Sequence, residues 1–195
     1  MPTNLSQVEQ NQKSFRVRLP LYLTMSRVFI VPFIVMAMIP NLPLWNAVAA
    51  GLFILASITD YFDGYYARKF NAVSNYGKFM DPIADKILVT SLLVMLLFRD
   101  RIDPYAVIIL VARDNFIGGI RSVAAADQVI IDAKPAGKWK AALQMCAIPA
   151  LILGVVEWFP YLYEFAYSVT WLSVFLSITS AIDYYRAYLL GRKSH

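Results

Sequence analysis

Two pairs of aspartates stand at helical spacing in the sequence, and small residues accompany each pair. Asp60 and Asp63 are three positions apart, and Asp81 and Asp85 are four positions apart. On an α-helix either spacing places both carboxylates on one face. Gly64 directly follows the first pair, so a bulky group could approach the backbone closely there. The pattern predicts two helices that each present paired carboxylates beside accessible backbone.

Four neighbouring carboxylates would repel one another strongly unless cations neutralised their charge. Oxygen ligands of this kind suit Mg²⁺ or Mn²⁺, and no cysteine or histidine lies nearby to favour zinc. Two such ions can clamp a phosphoryl group and activate an attacking oxygen. Arg68 follows on the same segment and could bind a phosphate. The spacing therefore predicts metal-assisted chemistry on a phosphate or diphosphate.

The aspartates belong to a chain whose apolar residues fall in long blocks. Of the 195 residues, 59% are hydrophobic, compared with about 45–50% in soluble domains. The blocks are long enough to cross a hydrocarbon core of roughly 30 Å as helices, and they lack the alternation typical of strands. This composition excludes a disordered chain, a disulfide scaffold and an ordinary soluble enzyme, and it predicts an all-α integral membrane fold. Six transmembrane helices are predicted, at residues 22–39, 44–62, 82–98, 104–125, 137–156 and 163–185.

Lysine and arginine are concentrated in alternate connecting segments. The predicted loops 63–81 and 126–137 and the C-terminal tail are basic, whereas the opposite loops carry no net positive charge. Cytoplasmic loops are the ones enriched in these residues. We therefore expect both termini and the aspartates on the cytoplasmic side of the cell (inner) membrane, which explains the net charge of +5 without nucleic acid as a partner. The expected organisation is a juxtamembrane segment at 1–20, one six-helix domain at 21–187 and a cytoplasmic tail at 188–195.

Eight positions in the aspartate region resemble the signature of the CDP-alcohol phosphatidyltransferase family. They are Asp60, Asp63, Gly64, Ala67, Arg68, Gly77, Asp81 and Asp85. The resemblance extends over about residues 19–186. It implies a membrane enzyme that uses two divalent ions, Mg²⁺ or Mn²⁺, to transfer the phosphatidyl group of CDP-diacylglycerol to an alcohol with release of CMP. It also implies a homodimer embedded in membrane lipid.

The resemblance further implies roles for individual residues. The four aspartates of the signature bind the two metal ions. Asp85 additionally acts as the general base that takes the proton from the acceptor hydroxyl. Three positions are implied to contact the CDP group, namely Gly64, Arg68 and Ser74.

Cations on the fourth and fifth predicted helices bear on which alcohol is accepted. The segments around them resemble family members that use glycerol 3-phosphate. Arg113 and Arg121 are eight positions apart on one helix, and with Lys138 they could form a basic pocket for the acceptor phosphate. Arg113 could instead pair with Asp114 or another buried acid, and Arg121 could be a cytoplasmic anchor. Asp114 and Ala141 stand where the family more often has glutamate and threonine.

Other functions are compatible with parts of this pattern. The same transfer could use another alcohol, such as serine or inositol phosphate. A membrane prenyltransferase also uses paired acids and Mg²⁺ on a diphosphate, but it has no need of Gly64 and Arg68 at these distances. An ion transporter could be lined by the charges within apolar segments, and it would need no nucleotide. The aspartates could also be helix-end acids that form salt bridges with Arg68, Lys69 and Lys86.

Further residues of the predicted helices are expected to make specific contacts. Arg27 is expected to meet a phosphate or a motif aspartate, or else to anchor the chain at the membrane interface. Asp183 is expected to pair with Arg186 or with another helix arginine. Gly118 and Gly119 predict close helix packing, because small residues let helices approach one another.

Overall fold

The computed structural model describes residues 27–69, 75–127, 135–154 and 161–193. Within these ranges the side chains at 60–69, 75–82, 125–126, 135–136 and 192–193 are outside the description. The described residues form six helices and contain no strand. The helices are α1 (Arg27–Met38), α2 (Pro43–Lys69), α3 (Asn75–Phe98), α4 (Pro104–Ala126), α5 (Pro135–Leu153) and α6 (Leu162–Lys193). The predicted all-α fold is confirmed.

Helix boundaries follow from residues that begin or end helices well. Proline occupies the first position of α2, α4 and α5, where a helix needs no backbone N–H. Before α4, the Asp103 carboxylate accepts a hydrogen bond of 2.8 Å from the Tyr105 backbone N–H, which is an N-cap. Asn41 and Asp100 turn the chain between helices with φ of 56° and 54°, in the left-handed region that Asn and Asp tolerate.

The helices that carry the aspartates are longer than the apolar segments predicted from the sequence. α2 continues to Lys69 and α3 already begins at Asn75, so the expected loop at 63–81 is wrong over most of its length. Hydropathy marks where apolar side chains stop, whereas backbone hydrogen bonds can continue through the polar residues beyond. Both aspartate pairs therefore lie on helical backbone.

Packing is centred on α5 and α6. α5 packs on α6 and α2, α4 packs on α6, and α3 contacts both α4 and α5. The core between them is filled by large apolar side chains that are almost fully buried: Ile34, Met38, Phe53, Leu88, Leu92, Leu96, Leu110, Ile148, Leu151 and Ile152. Many other large apolar side chains point outward, including Phe165 and Phe175 of α6. An apolar exterior of this kind suits a lipid environment.

Among the described residues, one helix is long and apolar enough by itself to cross a membrane. It is α6, over the stretch Leu162–Gly191. Elsewhere in the described ranges the apolar helical stretches Arg27–Met38 and Pro43–Thr59 are shorter. The six predicted spans and the cytoplasmic position of both termini therefore stay predictions.

Two arginines join the end of the bundle where α1, α3 and α5 finish. We call Arg99 and Arg101 the loop arginines. Arg99 donates hydrogen bonds to the backbone oxygens of Met38, at 2.9 Å, and Ile39. Arg101, which is 3% exposed, donates to the oxygen of Ile152 at 2.9 Å and to the side chain of Asn41. The last carbonyls of a helix lack helical partners and favour cations, so the loop arginines cap two helices at once.

Candidate functional site

The predicted metal ligands are carried by two helices that are consecutive in the chain. Asp60 and Asp63 lie in the C-terminal part of α2, and Asp81 and Asp85 lie in the N-terminal half of α3. Only residues 70–74 separate these two helices. The helical backbone at both pairs is what the three- and four-residue spacings require.

Most of the predicted ligand side chains fall outside the description. This holds for the side chains of Asp60, Asp63, Arg68 and Asp81, and Ser74 lies outside the described residues altogether. Gly64 is placed as backbone on α2. The roles predicted for these six residues therefore stay predictions.

Asp85 is the motif acid whose side chain the structure describes. It is partly buried on α3. Lys140, a buried cation, lies on a different helix, in the first turns of α5.

The Lys140 ammonium is held by Asp114 of α4. Lys140 Nζ donates hydrogen bonds of 2.8 and 2.7 Å to Oδ1 and Oδ2 of Asp114. Lys140 is 5% exposed, so its charge is almost completely removed from solvent. A buried ammonium is tolerated when a carboxylate and good hydrogen-bond geometry compensate the loss of hydration.

Arg113 connects the same carboxylate to α6. Its NH1 group donates to Asp114 Oδ1 at 3.0 Å. Its Nε donates to the backbone oxygen of Ser177 at 3.1 Å, and NH2 donates to Ser180 Oγ at 2.6 Å. We call Arg113, Asp114, Lys140, Ser177 and Ser180 the Asp114 cluster. One carboxylate therefore links α4, α5 and α6.

The three cations predicted to bind the acceptor have different surroundings. Arg113 is largely buried and engaged in the Asp114 cluster, so the alternative of a pair with Asp114 describes its observed contact. Arg121 and Lys138 are exposed. The Arg121 guanidinium carbon lies 6.0 Å from the centroid of the Tyr184 ring, which is a cation–π distance. Their binding of an acceptor phosphate stays a prediction.

The other contacts expected from the sequence have mixed outcomes. Close packing at Gly118 is confirmed, because a Cβ built there would lie 2.4 Å from Lys86 Nζ of α3. At Gly119 the expectation is wrong, since a Cβ would have no neighbour within 4 Å among the described residues. Arg27 is buried at the start of α1 and Asp183 is partly buried on α6. The partners expected for those two residues stay predictions.

The donor set of the motif fits divalent ions by chemical type. It consists of four carboxylates on two helices, and hard oxygen ligands are those that Mg²⁺ and Mn²⁺ prefer. Among the side chains that are described, no group of three acids, histidines or cysteines comes together. The side chains of Asp60, Asp63 and Asp81 are outside the description. Asp85 is therefore the one candidate metal ligand whose side chain is described.

Sequence reasoning missed the importance of Lys140, Ser177 and Ser180. A signal was present, because Lys140 and Gln144 are polar residues four positions apart at the start of an apolar segment, a spacing that places both on one helix face. No sequence signal marks Ser177 and Ser180, which are buried because α4 packs on α6.

Comparison with known proteins shows the class to which the chain belongs. The family model described as CDP-alcohol phosphatidyltransferase matches residues 17–179, which include the entire motif. The chain therefore belongs to the CDP-alcohol phosphatidyltransferase family, as its motif predicted, and it is a membrane-associated transferase.

Similar relatives carry one common name. The chain is 39% identical over 170 residues to the CDP-diacylglycerol–glycerol-3-phosphate 3-phosphatidyltransferase of Rickettsia felis, covering 87% of this chain and 94% of the relative. It is 35% identical over 179 residues to the protein of that name from Bacillus subtilis, covering 86% and 93%. The Mycoplasma pneumoniae protein of that name is 38% identical over 154 residues, covering 70% and 68%.

Proposed function

We propose that the chain transfers the phosphatidyl group of CDP-diacylglycerol to glycerol 3-phosphate, giving phosphatidylglycerophosphate and CMP. One observation carries the proposal: relatives named for this reaction match nearly their whole length to this chain. The family match includes all eight motif positions. The shared name supports glycerol 3-phosphate over serine or inositol phosphate as the acceptor.

The chemistry is assigned to the motif on α2 and α3. Asp60, Asp63, Asp81 and Asp85 would hold two Mg²⁺ or Mn²⁺ ions, for which their carboxylates are suitable donors. When bound, such ions neutralise charge on the diphosphate and on the departing CMP. The family resemblance assigns the CDP group to Gly64, Arg68 and Ser74.

Asp85 is proposed as the general base. Its carboxylate takes the proton from the acceptor hydroxyl while that oxygen attacks the phosphorus of the phosphatidyl group. The bond from this phosphorus to the CMP oxygen breaks, and CMP leaves. Its partly buried position supports this role, because a positioned carboxylate reacts more readily than a mobile one.

The acceptor phosphate is assigned to Arg113, Arg121 and Lys138. Arg121 and Lys138 are exposed, so they are accessible to a small dianion from solvent. Arg113 would attract the acceptor phosphate through its positive charge while it remains within the Asp114 cluster. The proposal also includes six membrane spans, cytoplasmic termini, an inner-membrane location and a homodimer. The apolar exterior and the family membership support the membrane setting.

CMP release by the purified protein tests this function. The protein in detergent micelles receives CDP-diacylglycerol, Mn²⁺ or Mg²⁺, and glycerol 3-phosphate, glycerol, serine or inositol phosphate in parallel. We expect rapid CMP release only when glycerol 3-phosphate is the acceptor. A chelator that removes the metal ions should abolish this release. Absence of CMP release with every acceptor, or faster release with another alcohol, would overturn the proposal.

A further inference from the structure

A groove runs between α4 and α6, and its lining contains none of the eight signature residues. Its volume is about 690 Å³, and sites that hold small molecules commonly measure roughly 300–1,000 Å³. The rings of Phe116 and Tyr185, whose centroids are 6.0 Å apart, join the two helices within it. The groove is therefore large enough for a ligand, and its walls belong to helices other than α2 and α3.

Most of the groove lining is apolar and exposed. Five large side chains of the lining are between 40% and 52% exposed: Phe116, Ile178, Ile182, Tyr185 and Leu189. Apolar surface that is exposed in this way commonly marks a membrane or partner contact. The lining on α6 runs from residue 178 to residue 189, which is about 16 Å along the helix axis. An elongated apolar strip of this length has the shape that an acyl chain would cover.

Two arginines are the charged residues of the lining, and none of the lining residues is acidic. Arg113 contributes from α4, where it is held in the Asp114 cluster and its side chain is 15% exposed. Arg186 contributes from α6 and is exposed. A groove that carries cations without acids is complementary to an anionic ligand, and basic pockets between membrane helices bind anionic lipid headgroups.

The position of Arg186 along α6 matches the level of lipid headgroups. The long apolar stretch of this helix is Leu162–Gly191. At about 1.5 Å per residue, Ile178 lies about 24 Å from Leu162 and Arg186 about 36 Å from it. A hydrocarbon core is roughly 30 Å thick, so a helix that enters it near Leu162 places Ile178 within the core and Arg186 just beyond it. Tyr185 agrees with this level, because tyrosine is enriched at membrane interfaces.

We propose that the groove binds one anionic phospholipid. An acyl chain lies along the exposed apolar side chains, and the headgroup phosphate accepts hydrogen bonds from the Arg186 guanidinium. The planar fork of N–H donors on an arginine matches two phosphate oxygens. Arg113 adds positive charge from α4. Such a site requires a membrane setting but not the proposed transfer reaction, so either proposal can fail without the other.

Thermal unfolding of the full chain in a neutral detergent tests the site. Dioleoyl phosphatidylglycerol is added in increasing amounts, and phosphatidylcholine with the same acyl chains and glycerol 3-phosphate are added in parallel. A ligand that binds only the folded protein, at about ten times its Kd, should raise the unfolding temperature by about 3–6 °C. We expect this shift with phosphatidylglycerol, and a shift below about 1 °C with phosphatidylcholine or glycerol 3-phosphate.

Two variants, each with a matched control, locate the binding. Arg186→Gln removes the proposed phosphate ligand, whereas Lys138→Gln removes an exposed cation of α5 that does not line the groove. Ile182→Trp fills the apolar part of the groove, whereas Leu172→Trp places the same side chain on α6 outside it. The shift with phosphatidylglycerol should fall by about half or more in Arg186→Gln and Ile182→Trp, and it should persist in both controls. Without lipid, all four should unfold within about 2 °C of the wild type, because the substituted residues are exposed.

Native mass spectrometry counts the lipids that stay bound after the detergent is removed. The wild type should retain one phosphatidylglycerol per chain, and Arg186→Gln should retain less. Equal shifts with phosphatidylglycerol and phosphatidylcholine would overturn the proposal, because the groove would then not recognise charge. A phosphatidylglycerol shift that Arg186→Gln leaves unchanged would also overturn it, because the lipid would then bind elsewhere.

Two further outcomes would assign the groove to another occupant. If glycerol 3-phosphate alone reproduced the shift, the site would bind a free anion rather than a lipid. If Ile182→Trp converted a dimer into a monomer on size-exclusion chromatography and left the phosphatidylglycerol shift unchanged, a second copy of this chain would cover the groove. Failure of the proposed function is separate, since the wild type would then release no CMP whether or not it bound the lipid.

Discussion

The two charged regions of the bundle bury arginine or lysine in different ways. The loop arginines bind backbone carbonyls and the side chain of an asparagine. The Asp114 cluster binds its two cations through one shared carboxylate. Cations that cap helices fix the ends of those helices, whereas cations that share a carboxylate join helices side by side.

Distance along α3 separates Asp85 from the loop arginines. Asp85 and Arg99 are fourteen residues apart in the sequence, with α3 ending at Phe98 between them. At about 1.5 Å per residue this is roughly 20 Å along the helix axis. Effects at one region should therefore leave the other nearly unchanged, because sites this far apart without shared partners are usually independent.

The strongest test of this separation is Asp85→Asn. It should lower CMP release by about 10³-fold, because loss of a general base costs roughly 10²- to 10⁴-fold. The unfolding temperature should fall little, since asparagine keeps the size of the side chain. Steady-state CMP release and thermal unfolding of the same preparation check both parts. Near-normal turnover in a folded Asp85→Asn protein would remove Asp85 from the reaction.

The second test addresses the loop arginines. Arg101→Met should lower the free energy of unfolding by about 2–4 kcal/mol, because the Ile152 carbonyl and Asn41 lose a charged donor in a buried place. Denaturant unfolding in detergent measures the change. Arg99→Met should have a smaller effect, since part of the Arg99 contact is exposed. A fall in kcat per folded molecule would show that the two regions are coupled.

Glycine substitutions sharpen the comparison through packing. Gly154→Ala should destabilise by about 1–3 kcal/mol, because its Cβ would lie 2.9 Å from the Tyr163 Cα, and backbone cannot move aside cheaply. Gly118→Ala should cost less than about 1 kcal/mol, because the group it meets is the flexible end of Lys86. Gly119→Ala is the control, because its Cβ would meet no described residue within 4 Å. Equal costs at Gly154 and Gly118 would contradict this account.

The smallest effect is expected at the exposed cations. Arg121→Ala should raise KM for glycerol 3-phosphate by about fivefold with little change in kcat, because an exposed cation contributes about 1 kcal/mol to binding an anion. The KM for CDP-diacylglycerol should stay the same. If Arg121→Ala lowered kcat instead, the residue would act on the reaction rather than on acceptor binding.

The sequence predicted the number and order of the helices better than it predicted where each helix begins and ends. Apolar blocks gave the order of the six helices, and prolines at Pro43, Pro104 and Pro135 marked three beginnings. The continuation of α2 to Lys69 and the early start of α3 at Asn75 were not predicted, because polar residues hide the helical pattern from a hydropathy argument. Likewise, Arg99 and Arg101 counted only as loop charges, although they bind carbonyls of distant helices.

The sequence by itself determined the family and predicted the helical placement of the aspartate pairs, because residue types at fixed local spacing specify which carboxylates share a helix face. Tertiary structure decided which groups hold Lys140 and Arg113. Lys140 and Asp114 are 26 positions apart, and Arg113 and Ser180 are 67 apart. Such pairs form only when α4, α5 and α6 pack together, and the burial that results turns ordinary charges into a coupled cluster.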